Sequence, residues 1–256
     1  MRQKGKAVSK TRLDVALVER GLAETRAAAQ RLVMAGLVFS GERRLDKAGH
    51  GVGPDTALEV RGQPHPYVSR GGVKLERALD HFAIPVAGRV ALDVGSSTGG
   101  FTDCLLQRGA AKVYAVDVGT NQLAWKLRGD PRVISMEKTN MRDVTRMQIP
   151  EPVELIVCDA SFIGLRTVLP AALALAVPGA HLVALIKPQF EVGKGRVGKG
   201  GIVRESALHE EVCATISGWL AGQAGWRVLG VTESPITGAE GNKEFLIAAQ
   251  LSSRAE

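Results

Sequence analysis

Cysteine is scarce: Cys104, Cys158 and Cys213 are the only three in 256 residues, and no two form a C-x-x-C pair. An odd, scattered set excludes a disulfide framework and a zinc ribbon, and it fits a reducing cytoplasm. The five histidines show no metal-ligand spacing, so no metal is expected. No apolar run reaches the roughly 18 residues needed to cross a bilayer. The N-terminal MRQKGKAVSK is basic but lacks a following apolar stretch, so it is no secretory signal. Aromatics make up only 4%, yet 45% hydrophobic residues are enough for a real core.

What is present is unevenly charged. Residues 1–74 hold 14 Lys and Arg against 7 Asp and Glu, whereas the remainder holds 19 of each. The net charge of +7 therefore resides in the first 74 residues. Such asymmetry points to an N-terminal module that meets a polyanion, RNA first among the candidates.

The chain is organised around Arg89 to Val118. Val90 to Val94 is a short apolar run of the kind buried on both faces of a parallel sheet. It breaks at Gly95-Ser96-Ser97-Thr98-Gly99-Gly100, continues as a helix from Phe101, and a second strand, Val113 to Val116, ends in Asp117. Glycines admit a ligand close to the backbone, and a carboxylate after the second strand can accept from both hydroxyls of a ribose. The glycine spacing is not that of a dinucleotide fingerprint.

Further strands are expected at 133–136, 155–158, 182–186, 228–232 and 244–249, with helices at 165–176 and 206–223 between them. Alternating strands and helices predict a doubly wound, mainly parallel sheet. Asp93, Asp117, Asp159 and Lys187 all fall at strand ends, where such sheets bind ligands. A lysine next to an apolar strand can serve as a general base, with Asp159 holding its amine. The run Gly193 to Lys199 spells G-x-x-x-x-G-K, but Gly200 replaces the required Ser or Thr, and neither the preceding strand nor the following helix is there. It is a glycine-lysine loop over the crevice.

Toward the N-terminus, residues 1–10 form a basic tail. Helices at 13–18 and 25–34, the latter stopped by Gly36, precede a small sheet. Arg12, Arg20, Arg26 and Arg31 lie on or beside the helix pair, placed to grip phosphates. Residues 62–67, with two prolines, form a semi-rigid linker. The run 67–82 is expected to be a helix with Ser69 as its N-cap. On spacing alone Lys74 there is a solvated surface lysine.

The stretch RLDVALVERGLAETRAAAQRLVMAGLVFSG resembles the S-four-like RNA-binding fold. D-V-G-x-x-x-G-G-F resembles motif I of S-adenosylmethionine methyltransferases. With YVSRGGVKLERAL, CDASFI, LIKPQFE and GNKEFLIA, nearly the whole chain closely resembles the TlyA family of ribosomal RNA methyltransferases, whose catalytic domain is FtsJ-like. That resemblance implies an S-four-like domain at 11–61 and a Rossmann-like methyltransferase domain at 68–256. It also implies methylation of a ribose 2′-hydroxyl, with cytidine the target, by a Lys-Asp-Lys-Glu tetrad. Carried over, the tetrad is Lys74, Asp159, Lys187 and Glu244. S-adenosylmethionine would be held by Gly95, Ser96, Thr98, Gly99, Gly100 and Phe101, by Asp117 at the ribose, and by Asn140 near adenine. Arg70 would join the RNA contacts, and the partner would be ribosomal RNA or ribosomal subunits. Three other readings stand beside it. A methyltransferase acting on a small molecule or protein explains the glycine turn but not the basic N-terminal module. A membrane-active hemolysin, as some relatives are named, needs an insertion segment that is not visible. A non-catalytic RNA-binding or assembly factor has no use for an intact tetrad.

Overall fold

A computed structural model describes residues 10–23, 25–61, 65–193, 195–238 and 241–253. The expected tail lies almost wholly outside the described residues, as does the first half of the linker. The chain divides into two compact units, Met1–Arg70 and Gly71–Glu256.

In the first unit, β1 (Thr11–Arg12) leads into α1 (Leu13–Glu19) and then α2 (Arg26–Met34). Thr25 caps α2 by accepting from Ala28 N at 3.1 Å. Gly36 ends it with φ +69°: the Gly36 and Leu37 amides turn back to the carbonyls of Val33 and Leu32. The strands β2 (Val38–Ser40), β3 (Arg43–Arg44), β4 (Gly51–Val52) and β5 (Glu59–Val60) follow. β2 is central in an antiparallel three-stranded sheet, and β4 pairs with β1. Leu13, Leu17, Ala29, Val33 and Val38 form the core between helices and sheet.

The second unit opens with α3 (Gly71–His81), shorter than the sequence suggested. Then come β6 (Val90–Val94), α4 (Gly100–Gln107), β7 (Lys112–Val116), α5 (Trp125–Arg128), β8 (Val133–Met136) and β9 (Val153–Cys158). The chain continues through α6 (Leu165–Leu173), β10 (Ala176–Ile186), α7 (Pro188–Glu191), α8 (Ser206–Ala221), β11 (Trp226–Glu233) and β12 (Phe245–Leu251). One sheet takes all seven strands in the order β11-β12-β10-β9-β6-β7-β8. The five from β10 to β8 run parallel, and β12 is antiparallel to both neighbours.

The central strands are apolar because helices cover both faces: Leu92, Val94, Ile156, Cys158, Leu182 and Ala184 are all buried. β10 begins earlier than its apolar run because Val177-Pro178-Gly179 is an irregular entry, with a register shift before His181. The sequence order reverses between β6 and β9, and a crevice forms beyond their carboxyl ends.

Candidate active site

The register delivers four backbone positions to one edge. Val94 pairs with Cys158, so Gly95 and Asp159 leave the sheet side by side. Ile186 pairs with Phe245, so Lys187 and Glu244 stand opposite each other one residue further on. Antiparallel β12 thus contributes its start where the parallel strands contribute their ends.

The glycine turn is shaped by proximity. Gly95 has φ +79°, and a Cβ there would lie 2.9 Å from Ala160 Cα. Only glycine lets these two strand ends approach so closely. A cavity of about 610 Å³ opens beside them, lined among others by Gly95, Ser97, Asp117, Asn140, Asp159 and Phe162. Asp117 is held by two backbone donors, Ser97 N at 2.8 Å and Gly119 N at 2.7 Å. Asn140 accepts from Arg142 N at 3.1 Å and so fixes the turn on the cavity's far wall. Ser96, Thr98, Gly99, Gly100 and Phe101 do not line this cavity. They build the turn behind it: Thr98 O accepts from Ala124 N at 3.1 Å, and Phe101 is buried. Ser97, with φ +48°, faces the cavity instead, and its place inside the glycine turn was the signal for it.

Two lysine–carboxylate pairs lie at this edge. Lys187 Nζ sits 2.7 Å from Asp159 Oδ1 and donates to Ser161 Oγ at 2.8 Å. The contact with Asp159 Oδ1 is close but off the hydrogen-bonding direction, so that buried oxygen has no well-angled donor. Lys74 Nζ meets Glu244 Oε2 at 2.5 Å, and both side chains are buried. The surface reading of Lys74 is therefore corrected: its face of α3 packs on β12 and β10, and Glu244 supplies the countercharge.

Asp93 lies beneath the turn, fully buried. Thr102 Oγ1 donates to its Oδ2 at 2.6 Å, while Oδ1 has no partner. Burial, with repulsion from Asp159 and Asp117, raises its pKa to about 7 against the Thr102 hydrogen bond. Phe162 was missed by sequence reasoning. It is 89% exposed at the cavity rim, with φ +65° and its ring 5.2 Å from Phe190. Among the described residues no His, Cys, Asp and Glu side chains cluster to hold a metal ion.

The arginines of the first unit divide by job. Arg12 and Arg26 both grip Asp14, a carboxylate with no exposure, at 3.0 and 2.8 Å. Gln30 adds a third donor, tying α2 to α1. Arg12 above all holds the Asp14 carboxyl well below its usual range. Arg20 donates to the carbonyls of Gly53, Pro54 and Thr56. Arg31 is exposed, and Arg70 lies against Gly36.

A seven-stranded sheet with one antiparallel insertion, a glycine turn and a strand-end carboxylate at the switch point define a Rossmann-like methyltransferase fold. The FtsJ-like methyltransferase family matches residues 67–251, and the S4 domain matches residues 11–58. The chain belongs to the FtsJ-like methyltransferase family and carries an S4 domain at its N-terminal side. It is similar to the Bacillus subtilis protein YqxC, named as a candidate rRNA methyltransferase, at 53% identity over 93% of this chain and 85% of that one. It is 48% identical to the 16S/23S rRNA (cytidine-2′-O)-methyltransferase TlyA of Mycobacterium tuberculosis, over 93% of this chain and 89% of that one. The solved structure of a candidate hemolysin from Streptococcus thermophilus superposes with a TM-score of 0.75 at 47% identity, covering 96% of this chain and 90% of that chain. Among the described residues no helix is long and apolar enough to cross a membrane.

Proposed function

We propose that this chain methylates a ribose 2′-hydroxyl of cytidine in ribosomal RNA, with S-adenosylmethionine as donor. The observation that carries this reading is the pairing of two buried lysines with carboxylates at adjacent strand ends: Lys187 with Asp159, which lines a nucleoside-sized cavity, and Lys74 with Glu244 one strand over. The donor fits the residues present. Asp117 is aimed to accept from ribose hydroxyls, Asn140 stands at the adenine end, and the Gly95 backbone lines the wall where the methionine part would lie. When bound, S-adenosylmethionine supplies an electrophilic methyl on a sulfonium.

The protein's task is then to align an oxygen and relieve it of its proton. Lys187 Nζ activates the 2′-hydroxyl, sharing or receiving its proton, while Asp159 fixes the amine. Lys74 positions the same hydroxyl, and Glu244 orients Lys74. Alignment supplies much of the acceleration, since effective molarity alone can contribute about 7–11 kcal/mol. Phe162, exposed at the rim, suits stacking on the target base. Residues 11–61 position the RNA, residues 62–67 link, and residues 68–256 carry the chemistry. The basic excess of the first 74 residues supports that division. A ribosomal substrate places the protein in the cytoplasm.

The test incubates tritiated S-adenosylmethionine with purified ribosomal subunits and either native protein or Lys187→Ala. Label should enter ribosomal RNA at a ribose whose linkage resists alkaline cleavage, and the variant should transfer none. A native protein that binds the donor but labels neither subunit would sink the ribosomal reading.

A further inference from the structure

Glu244 is held by a turn, and the turn is held by one amide. Asn242 is 1% exposed and lies two residues before Glu244. Its side chain spans about forty residues of sequence: Oδ1 accepts from Val203 N at 2.9 Å, and Nδ2 donates to Gly201 O at 2.9 Å. Its own carbonyl accepts from Gly238 N at 2.9 Å. Gly238 in turn touches the carboxylate, because a Cβ there would fall 2.5 Å from Glu244 Oε1. Ser234 N closes the far side on Glu244 O at 2.9 Å.

The other end of this clamp is the glycine loop that follows β10 and Lys187. Its span to Ile202 is folded on itself by Gly198 N donating to Ile202 O at 3.2 Å, and Arg196 pins it to Glu211 of α8 with two bonds. Lys199 and Arg204 stand exposed on it. A buried amide whose donor and acceptor both engage backbone fixes the spacing between two segments more sharply than apolar contact does.

We propose that Asn242 is a positioning residue, locking the loop at 198–203 to the Glu244 turn so that Glu244 holds Lys74 in register. This rests on the transfer reaction proposed above, with Asn242 acting through Glu244 and touching neither donor nor RNA.

The experiment compares Asn242→Ala and Gly238→Ala with native protein. Gly238→Ala leaves the clamp intact and presses on the carboxylate directly, so it reports what displacing Glu244 costs; if Asn242→Ala does not fold, Asn242→Asp, which keeps the acceptor for Val203 N and loses the donor to Gly201 O, takes its place. Both should lower kcat by about tenfold or more, the scale of a small misplacement at the reacting atoms. Donor affinity should stay within about threefold, consistent with a group that does not touch the cavity. In a Glu244→Gln background the Asn242→Ala loss should shrink to under about twofold, because coupled residues are not additive. An equal loss in both backgrounds, or unchanged kcat in both single variants, overturns the inference. Hydrogen exchange supplies a readout free of activity. The Ser234 amide should exchange faster in Asn242→Ala, and unchanged exchange overturns the inference even if the native protein transfers nothing. Absent transfer by native protein alongside faster Ser234 exchange would reject the activity while leaving the clamp standing.

Discussion

Lys74 and Glu244 are 170 residues apart in sequence and 2.5 Å apart in space, both out of water. The pair joins the helix that opens the second unit to the strand that completes its sheet. Breaking such a pair is costlier than never having made it, because the surviving charge stays buried.

Glu244→Ala should therefore reduce the unfolding free energy by about 3–5 kcal/mol, the usual cost of stranding a buried charge. The double variant Lys74→Met with Glu244→Leu should recover most of that stability and still transfer no methyl group. Urea melts beside the tritium assay check both halves. A double variant with native-like transfer would remove the pair from the chemistry.

Gly95 and Gly99 both sit at positive φ, +79° and +93°, but they face different obstacles. A Cβ on Gly95 would strike backbone at Ala160, whereas one on Gly99 would meet the side-chain tips of Leu127 and Leu123. Gly95→Ala should weaken donor binding at least tenfold, by prising apart the two strand ends. Gly99→Ala should lower the melting temperature while donor affinity stays within about threefold, strain there being about 1–3 kcal/mol. Calorimetric titration with S-adenosylmethionine separates the two.

Asp93 should make stability fall as pH rises. Its folded pKa of about 7 lies above the ordinary 3.8, so between those values the folded state holds a proton that the unfolded state has lost. The contribution is complete below pH 4 and disappears as pH climbs through 7. Asn at this position can still accept from Thr102 and carries no charge. Asp93→Asn should match native protein in urea melts at pH 4.5 and exceed it at pH 8. Parallel curves at both pH values would show that the carboxyl is not raised.

In the first unit, Arg31→Ala should weaken RNA affinity and lessen its salt dependence by about one phosphate contact, with no loss of stability. Arg26→Ala should chiefly destabilise the unit, since it removes a donor from the buried Asp14. Filter binding across a salt series, with thermal melts, distinguishes them. A melting temperature unchanged in Arg26→Ala would place that arginine outside the network.

The strand-end residues were legible because a parallel strand buried on both faces is a run of apolar residues, and the first ionisable group after it stands out. Asp117, Asp159 and Lys187 are of this kind. Lys74 was not legible from its own neighbourhood: a lysine on an amphipathic helix looks solvated until a carboxylate 170 residues away is brought beneath it. The arginines carry a tie that their place beside the helices did not show: Asp14 lies between Arg12 and Arg26 and engages both. Phe162 gave no periodic signal, being a single aromatic in a loop, and Asn242 looks like any turn residue until its partners near Gly201 are seen.

The position of β12 also dictates when the molecule can exist in finished form. It is synthesised last among the strands yet lies between β10 and β11. During translation the flank of β10 stays unpaired, and β11 has nothing to join, until the ribosome has made residues up to Leu251. Glu244 arrives with that same segment. A growing chain therefore passes through a stage with an open, sticky sheet edge and with Lys74 lacking its countercharge. Closure of the sheet and pairing of the buried lysine become a single late event.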